Sequence, residues 1–460
     1  MTGRLIIASN RIAAPGAPRA GGLAVALADA LAERGGGVWF GWSGEVLERE
    51  TRGVRLFAEN NIDFALADLT QAEYDGYYLG YANRALWPVF HYRTDLAHFD
   101  EADFAAYEAV NRRFARLLAQ FIRPDDIVWV HDYHFLLMGA ELRASGWEGR
   151  IGFFLHIPFP APEVFASLPQ HHRLARSLCS FDLVGFQTER DTANFRRYLV
   201  EQLGAQLLDD GTIQVADRSL RADTFSIGVD PDDIARAAES DEARSAAGRL
   251  GRITENRALV IGVDRMDYSK GLPQRMEAFG RMLDDHAELH GGVSFLQIAP
   301  PSREAVDAYQ DLREQLDQLA GRINADYADL DWMPIRYLAR SYSRDALAGL
   351  YRLSRAGIVT PLYDGMNLVA KEFVAAQTAD DPGVLVLSEF AGAADQLTAA
   401  LLVNPHDIAA SADAIYRALT MPLEERVERW QDMIRSVREQ DIGWWRRSFL
   451  AALDAAVVPA

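Results

Sequence analysis

Ala258-Leu259-Val260-Ile261-Gly262-Val263, followed at once by Asp264-Arg265-Met266-Asp267-Tyr268-Ser269-Lys270-Gly271, is the stretch that decides the fold. The first six residues form a short apolar block without alternation, the pattern of a parallel strand buried on both faces. The next eight turn polar at the carboxyl end of that strand, where open parallel sheets hold ligands. Further candidate strands lie at residues 5–9, 38–42, 127–131, 151–156, 183–187, 293–299, 335–338, 357–360 and 384–387, several of them continuous apolar blocks of the same kind. Helical spacing of apolar residues appears between these blocks, over 23–34 and over 101–121 with Pro124 as a stop. Alternating strands and helices predict an α/β protein with parallel sheets.

A chain of 460 residues exceeds one ordinary compact domain. Asp230-Pro231-Asp232-Asp233 and the charged, alanine-rich stretch 235–257 mark a boundary near residue 235. This divides the chain into domains 1–235 and 236–440. Residues 441–460, with Trp444-Trp445-Arg446-Arg447, form a helix that packs back on the first domain. Hydrophobic residues at 49% and charged residues at 25% fit a globular protein and exclude general disorder. With 47 basic against 66 acidic residues, the net charge of -19 makes nucleic acid and anionic membranes poor partners. Cys179 stands alone and closes no intrachain bridge, which suits a reducing cytoplasm. No apolar run reaches the roughly 18 to 20 residues of a membrane span. Leu5-Ile6-Ile7-Ala8 is shorter than the roughly 7 to 15 residues of a signal-peptide core. A cytoplasmic location follows as the expectation.

The strand ends carry the chemistry. Ser9-Asn10-Arg11 follows the first strand, and Gly21-Gly22-Leu23 opens a helix soon after. Paired glycines there let backbone N–H groups approach a phosphate, though glycines before a helix also serve as a plain turn. In His131-Asp132-Tyr133-His134 the two histidines suit either a metal or hydrogen bonding, and Asp132 suits sugar hydroxyls. His156-Ile157-Pro158-Phe159-Pro160 holds His156 on a proline-stiffened backbone. Arg265 and Lys270 are spaced to clamp a diphosphate, and Pro300-Pro301-Ser302-Arg303 brings another cation to a strand end. In Asp364-Gly365-Met366-Asn367-Leu368-Val369-Ala370-Lys371-Glu372 a glycine-containing loop opens a helix with free N–H groups. Glu372, one turn in, suits the two hydroxyls of a ribose or simply the helix dipole. Other patterns fail. Gly41-Trp42-Ser43-Gly44 has Glu45 where a nucleophile elbow needs glycine, and no Walker or Gly-x-Gly-x-x-Gly loop follows a strand.

Taken together with Trp39-Phe40-Gly41-Trp42-Ser43-Gly44 and Leu86-Trp87-Pro88, these motifs resemble the trehalose-6-phosphate synthases in order over nearly the whole chain. The resemblance implies a GT-B fold, two Rossmann-like α/β domains with parallel sheets facing across a cleft. The first would bind the acceptor and the second the nucleotide sugar. It implies transfer of glucose, with retention, from UDP-glucose or another NDP-glucose to glucose 6-phosphate. Implied donor contacts are Gly21, Gly22, Arg265, Lys270, Tyr342, Asp364, Gly365, Met366, Asn367, Leu368, Val369 and Glu372. Tyr342 stands where the family often has phenylalanine, and its contact with the base is expected through the backbone. Implied acceptor contacts are Arg11, Tyr78, Trp87, Asp132 and Arg303, and the implied catalytic set is His156, Asp132, Arg265 and Lys270. Preorganised cations and a helix N-terminus suit a leaving diphosphate, so neither a metal nor a cofactor is expected. The family also suggests a homo-oligomer, dimer or tetramer. A separate trehalose-6-phosphate phosphatase would act downstream, because the Asp-x-Asp-x-Thr motif of fused phosphatases is not found. Two alternatives stay open: a transferase with another phosphorylated acceptor such as glycerol 3-phosphate, and a non-catalytic sugar-nucleotide sensor.

Overall fold

The structure is a computed structural model that describes residues 3–12, 22–49, 53–255, 257–303 and 306–456. The chain forms two compact units. One combines the residues up to Ser226 with those from Trp445 onward, and the other spans Ile227–Trp444.

The first unit holds β1 (Leu5–Arg11), β2 (Gly37–Leu47), β3 (Arg55–Glu59), β4 (Ile62–Thr70), β5 (Ile127–His131), β6 (Ile151–Phe154), β7 (Leu183–Phe186), β8 (Gln206–Leu207), β9 (Thr212–Val215) and β10 (Arg218–Thr224). Their order is β3-β4-β2-β1-β5-β6-β7-β10-β9-β8. Pairings from β4 through β10 are parallel, and those at both edges are antiparallel. The continuous apolar blocks occupy the middle of the sheet, where β5 and the first five residues of β1 are buried on both faces. Burial ends at Asn10 and Arg11, so β1 delivers those two side chains to its carboxyl end.

The edge strands were not visible as apolar blocks. β3 is exposed along nearly its whole length. Asn60 and Asn61, at φ 50° and 62°, make the left-handed two-residue turn between β3 and β4.

Helix Ile442–Ala455 packs on β6 and β7 of the first unit. Phe449 and Leu453 lie one turn apart on it, and the sheet makes room for them with glycine. A Cβ on Gly152 would stand 2.7 Å from Leu453, and one on Gly185 2.7 Å from Phe449. Arg446 of this helix pairs with Asp29 and Glu33 of helix Gly22–Glu33.

The second unit holds β11 (Ala258–Val263), β12 (Val293–Ile298), β13 (Ile335–Leu338), β14 (Ala356–Val359), β15 (Val384–Ser388) and β16 (Leu401–Val403). Their order is β13-β12-β11-β14-β15-β16 with every pairing parallel, the doubly wound Rossmann order. Strand order reverses between β11 and β14 here, and between β1 and β5 in the first unit. The crevices that such reversals open lie beyond the carboxyl ends of those strands.

The boundary expected at 235 falls inside a helix. Asp230 caps helix Pro231–Ala237 by accepting from the Asp233 backbone, and Ser240 caps helix Asp241–Ile253 in the same way. The charged, alanine-rich stretch is therefore two helices of the second unit. Gly349 lets helix Arg344–Leu353 approach the first turn of helix Asp241–Ile253, where a Cβ would lie 2.5 Å from the Ala243 carbonyl. The change of unit comes earlier, at Ser226, because Lys371 Nζ donates to the Ile227 carbonyl at 2.6 Å and the Ile442 N–H to the Val229 carbonyl at 3.1 Å. At the other end it comes at Trp444 instead of 440. Among the described residues no helix is long and apolar enough to cross a membrane.

Candidate functional site

In the first unit the residues expected for the acceptor gather at the reversal between β1 and β5. Arg11 leaves β1 with its guanidinium 5.9 Å from the Trp42 ring. Trp42 lies 5.4 Å from Tyr78, whose ring stacks on Tyr74 and, nearly parallel, on His134 at 5.9 Å. Tyr78 is carried by a 13-residue π-helix, Tyr74–Leu86, that no sequence periodicity announced. It starts after a capping box in which Thr70 and Glu73 bond each other's backbones. Trp87 follows directly, buried against His91 and Tyr133. Trp42 was not among the expected site residues. Its only signal was the aromatic and glycine-rich run at the end of β2.

Asp132 links the ends of β5 and β6. It adopts φ 73°, its N–H donates to the Phe154 carbonyl at 2.8 Å, and its Oδ1 accepts from the His156 backbone at 3.2 Å. His156 and His131 face each other, with Nε2 of the first 3.1 Å from Nδ1 of the second. Burial pushes His156 down to about 3. Burial, then the nearby His156, holds His131 well below the usual histidine range. Both rings are therefore neutral, with one proton in the shared hydrogen bond. The Trp445 ring, fully buried, lies 5.9 Å from His156. His131 and His134 turn to different partners, so they are not a pair. Among the described residues no three of His, Cys, Asp and Glu gather to hold a metal.

In the second unit the loops after β11 and β14 press together. Gly271 has φ 63°, and a Cβ there would stand 2.1 Å from the Thr360 carbonyl. Across this contact Lys270 Nζ reaches Asp364 Oδ2 at 2.5 Å. Asn367 Nδ2 donates to the same oxygen at 3.0 Å, while its Oδ1 accepts from Ala370 N and caps helix Leu368–Ala376. Asn367 holds φ 74°, a left-handed conformation that aspartate and asparagine tolerate best after glycine. Beneath, the fully buried Arg275 donates to Asp264 at 2.8 Å, Thr360 at 3.1 Å and Gln297 at 3.2 Å. This support was legible only as a cation on an otherwise apolar helix face.

Gly365, Met366, Leu368 and Val369 lie in or just after the same loop, with Met366 buried. Glu372 sits one turn into the helix; burial raises its pKa and the Arg344 cation opposes that rise. Its neighbour Lys371 is fully buried, and burial lowers its ammonium to about 7. Arg265 is exposed at the end of β11. Arg303 holds φ 51° in the second unit, apart in the chain from the other four acceptor candidates. Its Nη1 reaches Tyr309 at 2.7 Å and Asp267 at 3.4 Å. Tyr342 lies beyond β13, where its hydroxyl accepts from Arg340 at 2.8 Å, outside the Lys270–Asp364 network. Gly21 lies outside the described residues, and Gly22 is the first residue of helix Gly22–Glu33.

The chain was compared with known proteins. The sequence pattern of glycosyltransferase family 20 matches residues 10–455. A trehalose-6-phosphate synthase of Sinorhizobium fredii is 48% identical over 457 residues, 98% of each chain. Among solved structures, an alpha,alpha-trehalose-phosphate synthase (UDP-forming) from Burkholderia vietnamiensis is 48% identical, with a TM-score of 0.96 over 99% of both chains. The corresponding enzyme from Burkholderia xenovorans, solved in complex with glucose-6-phosphate, is 48% identical. Its TM-score is 0.94, over 98% of this chain and 100% of that one. Two parallel-sheet α/β units, a family pattern across nearly the whole sequence and relatives of matching length lead to one conclusion: the chain belongs to glycosyltransferase family 20 and has its GT-B fold.

Proposed function

We propose that this chain transfers glucose with retention from UDP-glucose to glucose 6-phosphate, giving α,α-trehalose 6-phosphate and UDP. One observation carries the reading. Lys270, Asp364 and Asn367 form a bonded cluster at the start of helix Leu368–Ala376. A cation for a diphosphate, a carboxylate for sugar hydroxyls and free helical N–H groups thus meet in one place.

In this reading Arg265 and Lys270 hold the diphosphate, with the N–H groups of Leu368 and Val369. Glu372 accepts from the ribose hydroxyls, and Tyr342 meets the base through its backbone. Asp364 and Gly365 touch the glucose, Met366 and Asn367 fix the loop, and Gly21 and Gly22 add backbone donors. Arg11 and Arg303 bind the acceptor phosphate, Tyr78 and Trp87 flank it, and Asp132 binds acceptor hydroxyls.

As the glycosidic bond breaks, negative charge grows on the leaving phosphate, where Arg265, Lys270 and the helix N-terminus stabilise it. The acceptor hydroxyl attacks from the face that UDP leaves, and its proton passes to the departing phosphate oxygen. The sugar becomes oxocarbenium-like on the way. A neutral His156 avoids placing a second positive charge beside it, and the backbone carbonyls near His156 favour it. No step calls on a metal or a cofactor. The same reading includes work in the cytoplasm as a homo-oligomer, and a separate phosphatase that consumes the product.

Incubation with UDP-glucose and either glucose 6-phosphate or glycerol 3-phosphate, followed by NMR of the product, tests the proposal. The expected outcome is an α,α-1,1 linkage formed only with glucose 6-phosphate. Turnover of glycerol 3-phosphate instead, or no turnover with either, overturns it.

A further inference from the structure

At the open edge of the second sheet, a cavity of about 590 Å³ lies between β13 and helices Asp241–Ile253 and Arg344–Leu353. Arg249, Arg336 and Arg340 line it, together with the Tyr342 ring and the apolar side chains of Leu250 and Leu350. Arginines of this acidic chain commonly sit beside a carboxylate, as Arg275 does with Asp264 and Arg344 with Asp233. These three do not. Their one side-chain hydrogen bond among the described residues is that of Arg340 to the Tyr342 hydroxyl, and the Arg340 guanidinium also lies over the Tyr342 ring, 4.9 Å from its centroid. Arg336 Nε is buried and has no acceptor among the described residues.

A buried charged N–H without an acceptor is costly, and the exposed guanidinium groups of Arg249 and Arg340 bring two more positive charges to the same cavity. An oxyanion would accept from Arg336 and answer all three charges. Guanidinium groups match phosphate in geometry, and a phosphate offers more oxygens and more charge to three of them than a carboxylate does. The leucines and the tyrosine ring give an apolar body somewhere to rest.

We propose that this cavity is a third ligand site, for a phosphate-bearing small molecule, separate from the places of the two substrates. Arg249, Arg336 and Arg340 hold the phosphate, and Tyr342 lies against the rest of the ligand. The cavity shares Tyr342 with the residues proposed for the donor, but neither Arg265 nor Lys270 lines it.

The test follows the arginine Nε–Hε resonances while inorganic pyrophosphate is titrated at physiological ionic strength, with and without UDP. The Arg336 signal is identified by its absence in Arg336→Lys. It is expected to shift saturably, and to the same extent in both titrations. Arg249→Ala, a change at an exposed helix position, is expected to weaken that binding by about tenfold. No saturable shift at Arg336, a shift that UDP abolishes, or an unchanged affinity in Arg249→Ala overturns the proposal.

Discussion

Lys270 Nζ and Asp364 Oδ2 stand 2.5 Å apart, joining the loops that leave β11 and β14. The two residues are 94 positions apart in the chain. The cation proposed for the diphosphate is thus neutralised by the carboxylate proposed for the sugar. Each holds the other in place, and a donor must share Lys270 with Asp364 when it binds.

That sharing gives opposite predictions for the two partners. Asp364→Asn frees Lys270, so UDP without its sugar should bind several-fold more tightly while turnover falls. Lys270→Ala removes a charge-assisted hydrogen bond worth about 1.5–3 kcal/mol, so UDP affinity should drop by roughly 10- to 100-fold. Calorimetric titration of UDP into each variant checks both. Equal weakening in the two variants contradicts the shared role.

Glu372 is proposed for the ribose, and burial already raises its pKa. Glu372→Gln keeps the shape and removes the charge. The KM for UDP-glucose should rise about tenfold or more, since a hydrogen bond to a charged acceptor is lost. A donor with 2′-deoxyuridine should lose less on the same substitution, because it has fewer hydroxyls to lose. If both donors are weakened equally, Glu372 acts elsewhere.

The facing histidines make stability depend on pH. His156 at about 3, and His131 likewise depressed, stay neutral in the folded protein while the unfolded chain takes up protons near 6.5. The unfolded state then binds more protons, so stability falls as pH drops below about 6.5. At pH 5 His156 accounts for about 2 kcal/mol of that loss, and His131 adds to it in the same direction. His131→Phe should remove one histidine's share, so the gap between the parent and the variant should change between pH 7 and pH 5. Urea unfolding at the two pH values reads this; a gap that does not move with pH shows that the histidines do not titrate as described.

The charge on the leaving diphosphate is assigned to Arg265, Lys270 and the helix Leu368–Ala376. Exhaustive treatment with EDTA should therefore leave most of the activity. Activity lost on chelation and restored only by a divalent ion would mean that these groups are not sufficient.

Much of this protein was written in local pattern. Each candidate strand read from the sequence is a strand of one of the two sheets, and those in the middle of a sheet, such as β5, are unbroken apolar runs because they are buried on both faces. The polar loops after those blocks are where the candidate residues sit, because parallel sheets open ligand crevices at their carboxyl ends. Tertiary structure decided what depends on pairing across long separations. β3 carries no apolar block, since it is exposed along nearly its whole length. The π-helix that presents Tyr78 has no periodicity of its own. The stretch 235–257 reads as a linker by composition but folds as two helices of the second unit, where Gly349 lets a neighbouring helix come close. His131 and His156 meet only because β5 and β6 are neighbours in the sheet. Lys270 and Asp364 meet only because β14 lies beside β11, a strand order that short-range sequence does not encode.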